Sequence, residues 1–208
     1  MPQYLDIARW NRRGQFEFFK DFTEPFTGIC TEVEVTTLAA ASRAAGTSFF
    51  LDYLHKSLRA ANAVEGFRYR IEGERVRVHE RVDASATISR EDGSFGFSNI
   101  EYDPVYEHFA ANARAEQTRI AADYALFPPV LGDCVIHYSS VPWIHFSAVS
   151  HARHFAVADS SPKITFGRYT ERKGRKWMPV AVHVHHALLD GRDIGRYLTY
   201  FQELLHEG

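Results

Sequence analysis

The sequence predicts an α+β sandwich, and three observations support this fold class. Segments with strand periodicity and segments with helix periodicity follow one another in irregular order, which argues against a regular βαβ winding. The chain has 208 residues, of which 45% are hydrophobic and 24% charged, the composition of a globular protein. It contains no internal repeat, low-complexity tract or Pro/Gly/Ser-rich linker. We therefore expect residues 1–208 to form one domain.

The first half of the chain predicts a strand, two helices and a hairpin. Polar and apolar residues alternate over residues 29–35, as in a half-buried strand, and Thr36-Thr37 is predicted to cap a following helix. A second helix is predicted to end at Asn62, because apolar residues recur at helical spacing after Ser48. Alternation resumes over residues 67–79 around a turn at 72–74, which predicts two paired strands.

The second half predicts a long helix, several strands and a closing helix. Asp103-Pro104 is expected to open the long helix, with Pro104 in its first turn. Its predicted buried face consists of Val105, Phe109, Ala113 and Ile120. Strands are predicted at residues 134–138, 143–146, 163–169 and 178–185. Apolar residues at spacings of four, three and four predict the closing helix over residues 190–206.

Composition excludes several classes of protein. With 24 basic and 26 acidic residues, the net charge of −2 gives no electrostatic footprint for nucleic acid. Two cysteines are too few for a disulfide framework or a four-cysteine zinc site. No apolar run approaches the roughly 20 residues of a membrane-spanning helix, and no secretory signal is recognisable, so we expect a cytoplasmic protein. An aromatic content of 14% fits either an aromatic core or the walls of an apolar ligand site.

The segment from Val182 to Gly191 carries the clearest chemistry. A predicted strand ends at His185 and His186, and Asp190 and Gly191 follow before the last helix. A histidine held at a strand end is a candidate general base, because imidazole exchanges protons near neutral pH. Asp190 is expected to organise the turn, and Gly191 to permit a tight backbone there. A purely structural role for the histidine and the aspartate is the alternative.

The full pattern HHxxxDG, which begins at His185, resembles the active-site signature of chloramphenicol acetyltransferases and related coenzyme A-dependent acyltransferases. Residues 10–19, 139–143 and 162–169 are also similar to segments of these enzymes. The similarity extends over nearly the whole chain. It implies a two-layer sandwich in which helices flank a mixed β-sheet.

The resemblance also implies a role for each catalytic position. His186 would be the general base that takes a proton from a hydroxyl as its oxygen attacks acetyl-CoA. Ser139 would donate a hydrogen bond to the oxyanion of the tetrahedral intermediate, and Thr165 would help to hold a water against it. Asp190 would pair with Arg12 and brace the turn. No serine nucleophile and no permanently bound cofactor are required.

The binding surfaces follow from the same resemblance. The acceptor pocket would be lined by Phe18, Phe19, Phe22, Pro25, Phe26, Phe95, Phe97 and His137. Tyr169 would lie on the side of the co-substrate, acetyl-CoA. Family members are homotrimers in which the base of one subunit faces a pocket supplied largely by its neighbour, so the aromatic residues are also candidates for subunit contacts. Chloramphenicol is the first expected acceptor, and resistance to this antibiotic the expected role.

Three alternatives stay open. Near the pocket, Phe97, His137 and His151 are among the residues that replace smaller, amide or aliphatic residues of the better-known resistance enzymes. These replacements favour a different hydroxylated acceptor. A trimeric binding protein without turnover would retain the same pocket and base. A metal site is disfavoured, because strand alternation places His183 and His185 on one face and directs His186 away from them.

Overall fold

The computed structural model describes residues 2–129 and 132–207, and strands form its centre. In chain order the strands are β1 (Gln3–Tyr4), β2 (Phe26–Glu34), β3 (Tyr69–Glu72), β4 (Arg75–Val78), β5 (Asp83–Ser89), β6 (Phe95–Phe97), β7 (Val135–Val141), β8 (Lys163–Gly167), β9 (Thr170–Arg172) and β10 (Arg175–His185). The large sheet has the order β2-β10-β8-β7-β5-β6, and β9 pairs with β10. Strands β5, β7 and β8 run parallel, whereas β10 is antiparallel to both of its neighbours. The predicted mixed sheet is confirmed.

Five α-helices accompany the strands among the described residues. They are α1 (Arg13–Phe19), α2 (Thr36–Ala45), α3 (Phe49–Ala63), α4 (Tyr106–Ala122) and α5 (Gly191–His206). Helix α3 begins where predicted, because the hydroxyl of Ser48 accepts a hydrogen bond from the amide of Leu51 at its first turn. Gly46 ends α2 in the left-handed conformation, with φ of 68°.

The helices pack on one face of the sheet, which makes a two-layer α+β sandwich. Val180, Val182 and Val184 of β10 are fully buried in the hydrophobic core together with side chains of α2, α3, α4 and α5. Since successive side chains of a strand point to opposite faces, His183 and His185 lie on the face away from this core. The sandwich predicted from the sequence is therefore confirmed, and polar residues lie on the sheet face opposite the helices.

A second, smaller sheet has the order β1-β4-β3. It contains the predicted hairpin, whose turn holds Gly73 at a φ of 60°. Arg70 of this hairpin is 1% exposed, and its guanidinium donates hydrogen bonds to the carbonyl oxygens of Phe67, Tyr69, Asp133 and Val135. These bonds attach the small sheet to the start of β7, the strand that carries Ser139.

Three local predictions were wrong. Residues 143–146 form no strand, because the chain turns after β7 and the amide of Ile144 donates to the carbonyl of Val141. Thr36 does not cap α2 but is its first residue, and its hydroxyl accepts a hydrogen bond from the amide of Lys176 instead. Helix α4 begins two residues after Pro104, and Val105 is 45% exposed because it precedes the first turn.

Strands β5 and β6 were not predicted. Strand β5 reads Asp-Ala-Ser-Ala-Thr-Ile-Ser, which is poor in the β-branched and aromatic residues typical of strands. Its conformation is determined by parallel pairing with β7 and antiparallel pairing with β6. Within residues 2–129 and 132–207, no helix has both the length and the apolar character needed to cross a membrane.

Candidate active site

The chain turns sharply where β10 ends, and this turn holds His186. The amide of His186 donates to the carbonyl of Pro25 over 2.8 Å, and the amides of Leu188 and Leu189 both donate to the carbonyl of His185. These bonds satisfy backbone groups that the strand no longer pairs. The backbone of His186 is therefore fixed at a strand end, as a general base requires.

The imidazole of His186 is oriented by its own turn. Its Nδ1 lies 3.2 Å from the carbonyl oxygen of Leu189. A carbonyl oxygen can only accept a hydrogen bond, so Nδ1 is the nitrogen that carries the proton in the neutral ring. Nε2 is then left with a free lone pair. The ring also packs against Phe19, with centroids 4.3 Å apart, which limits its rotation.

Asp190 begins helix α5 and is held from two sides. Its side chain accepts a hydrogen bond from the amide of Arg192, and the carboxylate of Asp193 accepts one from the amide of Asp190, which completes a capping box. Arg12, the residue before α1, donates to Asp190 and lies 3.5 Å from the carboxylate of Asp193. Burial opposes the charge on Asp190, but the bonds from Arg12 and Arg192 outweigh it and lower the pKa of the carboxyl.

Gly191 follows Asp190 in this turn. It is the first residue of α5 and does not have a positive φ. A Cβ there would meet Ile29 at 3.8 Å, an ordinary contact. Gly191 was expected to permit a tight backbone, and the helical conformation found there is one that other residues also adopt.

Four of the predicted acceptor residues, Phe18, Phe19, Phe22 and Pro25, lie around the turn of His186. Phe18 and Phe22 are 64% and 43% exposed and lie against each other with centroids 5.1 Å apart. Pro25 and Phe22 line a small cavity of about 140 Å³ beside His185. Phe26 has a different environment, because the cations of Arg153 and Lys163 lie 3.9 and 4.3 Å from its ring centroid. Its ring lines neither of the two larger cavities described below.

Ser139 and Thr165 meet at the middle of the sheet. They are directly opposite each other in the parallel pairing of β7 and β8, and Thr165 is opposite Ala181 of β10. Thr165 is 1% exposed, and its hydroxyl lies 3.4 Å from Nε2 of His151. Both hydroxyl side chains thus project from the face opposite the helices.

Ser139 lines a cavity of about 440 Å³, here called the Ser139 cavity. Its walls are Ser85, Thr87, Phe95, Phe97, Phe127, His137, Tyr138, Ser139, His151, Ala152 and Lys163. Three predicted acceptor residues, Phe95, Phe97 and His137, are among them. Ser85 and Phe127 were not predicted: Ser85 lies on the unpredicted strand β5, and Phe127 stacks on Phe97 at 5.0 Å although it is distant in sequence.

Tyr169 lines a second cavity of about 590 Å³, here called the Tyr169 cavity. It lies toward the opposite face of β7, because Ser140 lines it while Ser139 lines the other. Thr87 contacts both cavities. The apolar walls of the Tyr169 cavity include Phe49, Phe50, Tyr53 and Trp143. Among these, Trp143 belongs to the segment whose similarity was noted in the sequence, whereas the three residues of α3 were not predicted.

Within one chain, the predicted catalytic residues fall into two groups. His186, Asp190 and Arg12 lie beyond the end of β10, whereas Ser139 and Thr165 lie in the row of Ala181. Five residues along an extended strand separate Ala181 from His186, a distance of about 16 Å. Hence a base and an oxyanion donor from the same chain do not face one reacting atom.

Three histidines at this face of the sheet, His137, His151 and His185, have pKa values well below the ordinary range. Burial, with the nearby Lys163 cation, lowers the pKa of His137 to about 4. Burial and the neighbouring His183 lower the pKa of His151 to about 4, and burial and Arg153 do the same for His185. In the part of the chain that the structure describes, no group of three His, Cys, Asp or Glu residues is placed to hold a metal ion.

Comparisons with known proteins identify the family of this chain. The family model described as chloramphenicol acetyltransferase matches residues 3–202. Chloramphenicol acetyltransferase 3 of Escherichia coli is 25% identical over 202 residues, which cover 96% of this chain and 95% of the relative.

Two solved structures have the same fold. A chloramphenicol acetyltransferase structure superposes with a TM-score of 0.88 and 30% identity, covering 99% of this chain and 100% of the other. A probable dihydrolipoamide acetyltransferase from Listeria monocytogenes shares the fold at a TM-score of 0.69 and 13% identity, covering 98% and 93% of the two chains. Because the family model spans nearly the whole length and the HHxxxDG segment forms the turn described above, this chain belongs to the chloramphenicol acetyltransferase family.

Proposed function

We propose that this protein is an acetyl-CoA-dependent O-acetyltransferase whose general base is His186 and whose first candidate acceptor is chloramphenicol. The observation that carries the proposal is the bond between Nδ1 of His186 and the Leu189 carbonyl, which leaves Nε2 unprotonated in the neutral ring. The name shared by the family and its relatives supports acetyl transfer to chloramphenicol.

The reaction follows from the two groups of residues. Nε2 of His186 removes the proton of the acceptor hydroxyl as the oxygen attacks the thioester carbonyl. The hydroxyl of Ser139 donates to the resulting oxyanion, and Thr165 helps to hold a water beside it. The carbon–sulfur bond then breaks, and the leaving thiolate takes the proton from the imidazolium. The products are the acetyl ester and coenzyme A, with no acetyl-enzyme.

The two cavities fit the two substrates. The Ser139 cavity combines aromatic walls with the proposed oxyanion donor, which suits an aromatic alcohol. The Tyr169 cavity is lined mainly by aromatic and aliphatic side chains and contacts Thr87, which also belongs to the Ser139 cavity. We propose that a thioester bound in the Tyr169 cavity approaches the acceptor beside Thr87, the residue that lines both cavities.

We propose that a second copy of the chain completes the site. The separation of about 16 Å between the His186 turn and the Ser139 row supports an active site that takes its base from a neighbouring subunit. The surface beside His186 supports such a contact, because Phe18, Phe155 and Val157 are at least 60% exposed. We propose the homotrimer expected from the family, acting in the cytoplasm.

Two other functions share much of this geometry. The first is the same acetyl transfer to another hydroxylated acceptor, and the observation that favours it is the presence of His137 and His151, two polar side chains, in the aromatic walls of the Ser139 cavity. A trimer that binds ligands without turnover would need neither the free Nε2 nor the fixed turn. The structure of the His186 turn favours the enzyme.

The test is release of coenzyme A thiol from acetyl-CoA with chloramphenicol as acceptor, for the wild type and for His186→Ala. We expect turnover in the wild type and its loss in the variant, with chloramphenicol binding largely retained. His185→Ala is the neighbouring control for histidine removal at the same strand end, and we expect it to retain measurable turnover. Full turnover by His186→Ala would disprove the proposed base.

A further inference from the structure

A row of polar side chains crosses the floor of the Ser139 cavity. Ser85 of β5 is directly opposite His137 of β7, and His137 is opposite Lys163 of β8. All three line the cavity. His137 and Lys163 lie two residues before Ser139 and Thr165 on their strands, so this row is about 7 Å from the row of the proposed oxyanion donor.

One member of this row, Ser85, has unused hydrogen-bonding capacity. Ser85 is 1% exposed, and its hydroxyl oxygen has no hydrogen-bond partner in the described residues. His137, directly opposite Ser85, is half-buried and lines the same cavity. A buried hydroxyl without a partner is unfavourable, so such a group in a cavity is well placed to bind a ligand.

The row carries no free charge. The ammonium of Lys163 donates to Asp159 at 2.5 Å and to the carbonyl of Ser161 at 3.2 Å, and it faces the ring of Phe26. Its charge is therefore already balanced by a carboxylate. His137 is neutral at pH 7, because burial and Lys163 lower its pKa to about 4. A charged group on a ligand would find no counter-charge in this row.

We propose that Ser85 and His137 select acceptors with a second, neutral hydrogen-bonding group, such as a hydroxyl or an amide, about 7 Å from the hydroxyl that is acetylated. The inference rests on the proposed acetyl transfer at Ser139, and it narrows the substrate to a class. Apolar aromatic alcohols would contact the same aromatic walls but would leave the hydroxyl of Ser85 without a hydrogen-bond partner. Their binding is disfavoured for that reason.

The test uses two acceptors that differ in one group. 2-(4-Hydroxyphenyl)ethanol carries a second hydroxyl on the far side of its ring, and 2-(4-methylphenyl)ethanol has a methyl group of similar size there. Thiol release from acetyl-CoA gives kcat/KM for each, and product analysis identifies the acetylated oxygen. For the wild type we expect about a tenfold preference for the hydroxylated alcohol. Ser85→Ala with His137→Phe should abolish or reverse this preference.

Control variants and binding measurements separate this inference from the proposed function. Ser94→Ala removes an exposed hydroxyl from the adjacent turn and should leave the preference unchanged. Ser85→Ala alone keeps the test valid if the double variant does not fold. Binding of the two alcohols by ligand-observed NMR, without acetyl-CoA, measures the preference even if no acetyl transfer occurs.

The outcomes are distinct. A preference in binding with no turnover on any alcohol or on chloramphenicol would support the polar row and refute the proposed enzyme. Turnover with equal kcat/KM for the two alcohols, or a preference that survives in Ser85→Ala and in the double variant, would overturn the inference and leave the acetyltransferase intact.

Discussion

Arg12 donates a hydrogen bond to Asp190 across 178 residues of sequence. The pair joins the residue before α1 to the residue that caps α5, and Arg12 also lies 3.5 Å from Asp193 in the same turn. Since Asp190 also accepts from the amide of Arg192, its carboxylate has a partner on either side. These bonds support the proposal that Asp190 organises the turn of His186, and Asp190 does not contact the histidine ring by any bond that the structure describes.

Removal of the Arg12 side chain should weaken catalysis and stability together. Arg12→Ala leaves a partly buried carboxylate without its guanidinium, so we expect Tm to fall by about 2–4 °C and kcat/KM by at least about tenfold. Thermal unfolding and the thiol-release assay measure the two effects. Arg13→Ala is the matched control, because Arg13 pairs with Glu17 on an exposed surface. Unchanged Tm and rate in Arg12→Ala would show that the pair does not brace the turn.

Ser139→Ala should lower kcat while KM for the acceptor stays nearly constant. A donor to the oxyanion gains strength only as charge develops, so its loss costs about 10²-fold in rate and little in substrate binding. Steady-state kinetics with both substrates varied provide the measurement. Ser140→Ala is the contrasting variant, since Ser140 lines the Tyr169 cavity and should alter KM for acetyl-CoA. A large rise in acceptor KM with unchanged kcat in Ser139→Ala would assign Ser139 to ground-state binding instead.

A mixture of two inactive variants should regain activity if sites are shared between subunits. In mixed trimers, each active site takes His186 from one chain and Ser139 from its neighbour. A site is therefore intact only when a Ser139→Ala chain supplies the histidine and a His186→Ala chain supplies the serine. Random assembly makes about a quarter of the interfaces intact, whereas either variant alone has none. Co-expression followed by the thiol-release assay tests this arithmetic. Activity no higher than that of the single variants would place the whole site within one chain.

Stability should fall as pH decreases from about 6.5 to about 4. In the unfolded chain a histidine has a pKa near 6.5, whereas His137, His151 and His185 have pKa values of about 4 in the folded protein. Between these values the unfolded state binds more protons, so the free energy of unfolding rises with pH, by at most about 1.4 kcal/mol per pH unit for each histidine.

Denaturant titration across this pH range measures the slope. His137→Phe removes one of the three groups and should reduce the slope, while His108→Phe alters an exposed side chain and should leave it unchanged. A slope that is the same in the wild type and in His137→Phe would contradict the buried, neutral state of His137.

Much of the fold was predictable because its signals are local. The hairpin around Gly73, helix α3 after Ser48 and helix α5 after Asp190 all follow from side-chain periodicity and from caps within a few residues. The predictions that failed concern segments whose conformation depends on long-range contacts. Strand β5 has little strand propensity of its own, and residues 143–146 alternate without finding a partner strand. In both places pairing with distant strands decides the conformation.

The sequence by itself determined the family and the acyltransferase class, because HHxxxDG occupies seven consecutive residues, and the bond that orients the His186 ring lies within that motif. Only the tertiary structure decided which distant residues meet. The parallel register of β5, β7 and β8 brings Ser85 opposite His137 and places Ser139 beside Thr165. The same register separates both rows from His186, since strand order and length, which depend on the packing of the whole core, fix those distances.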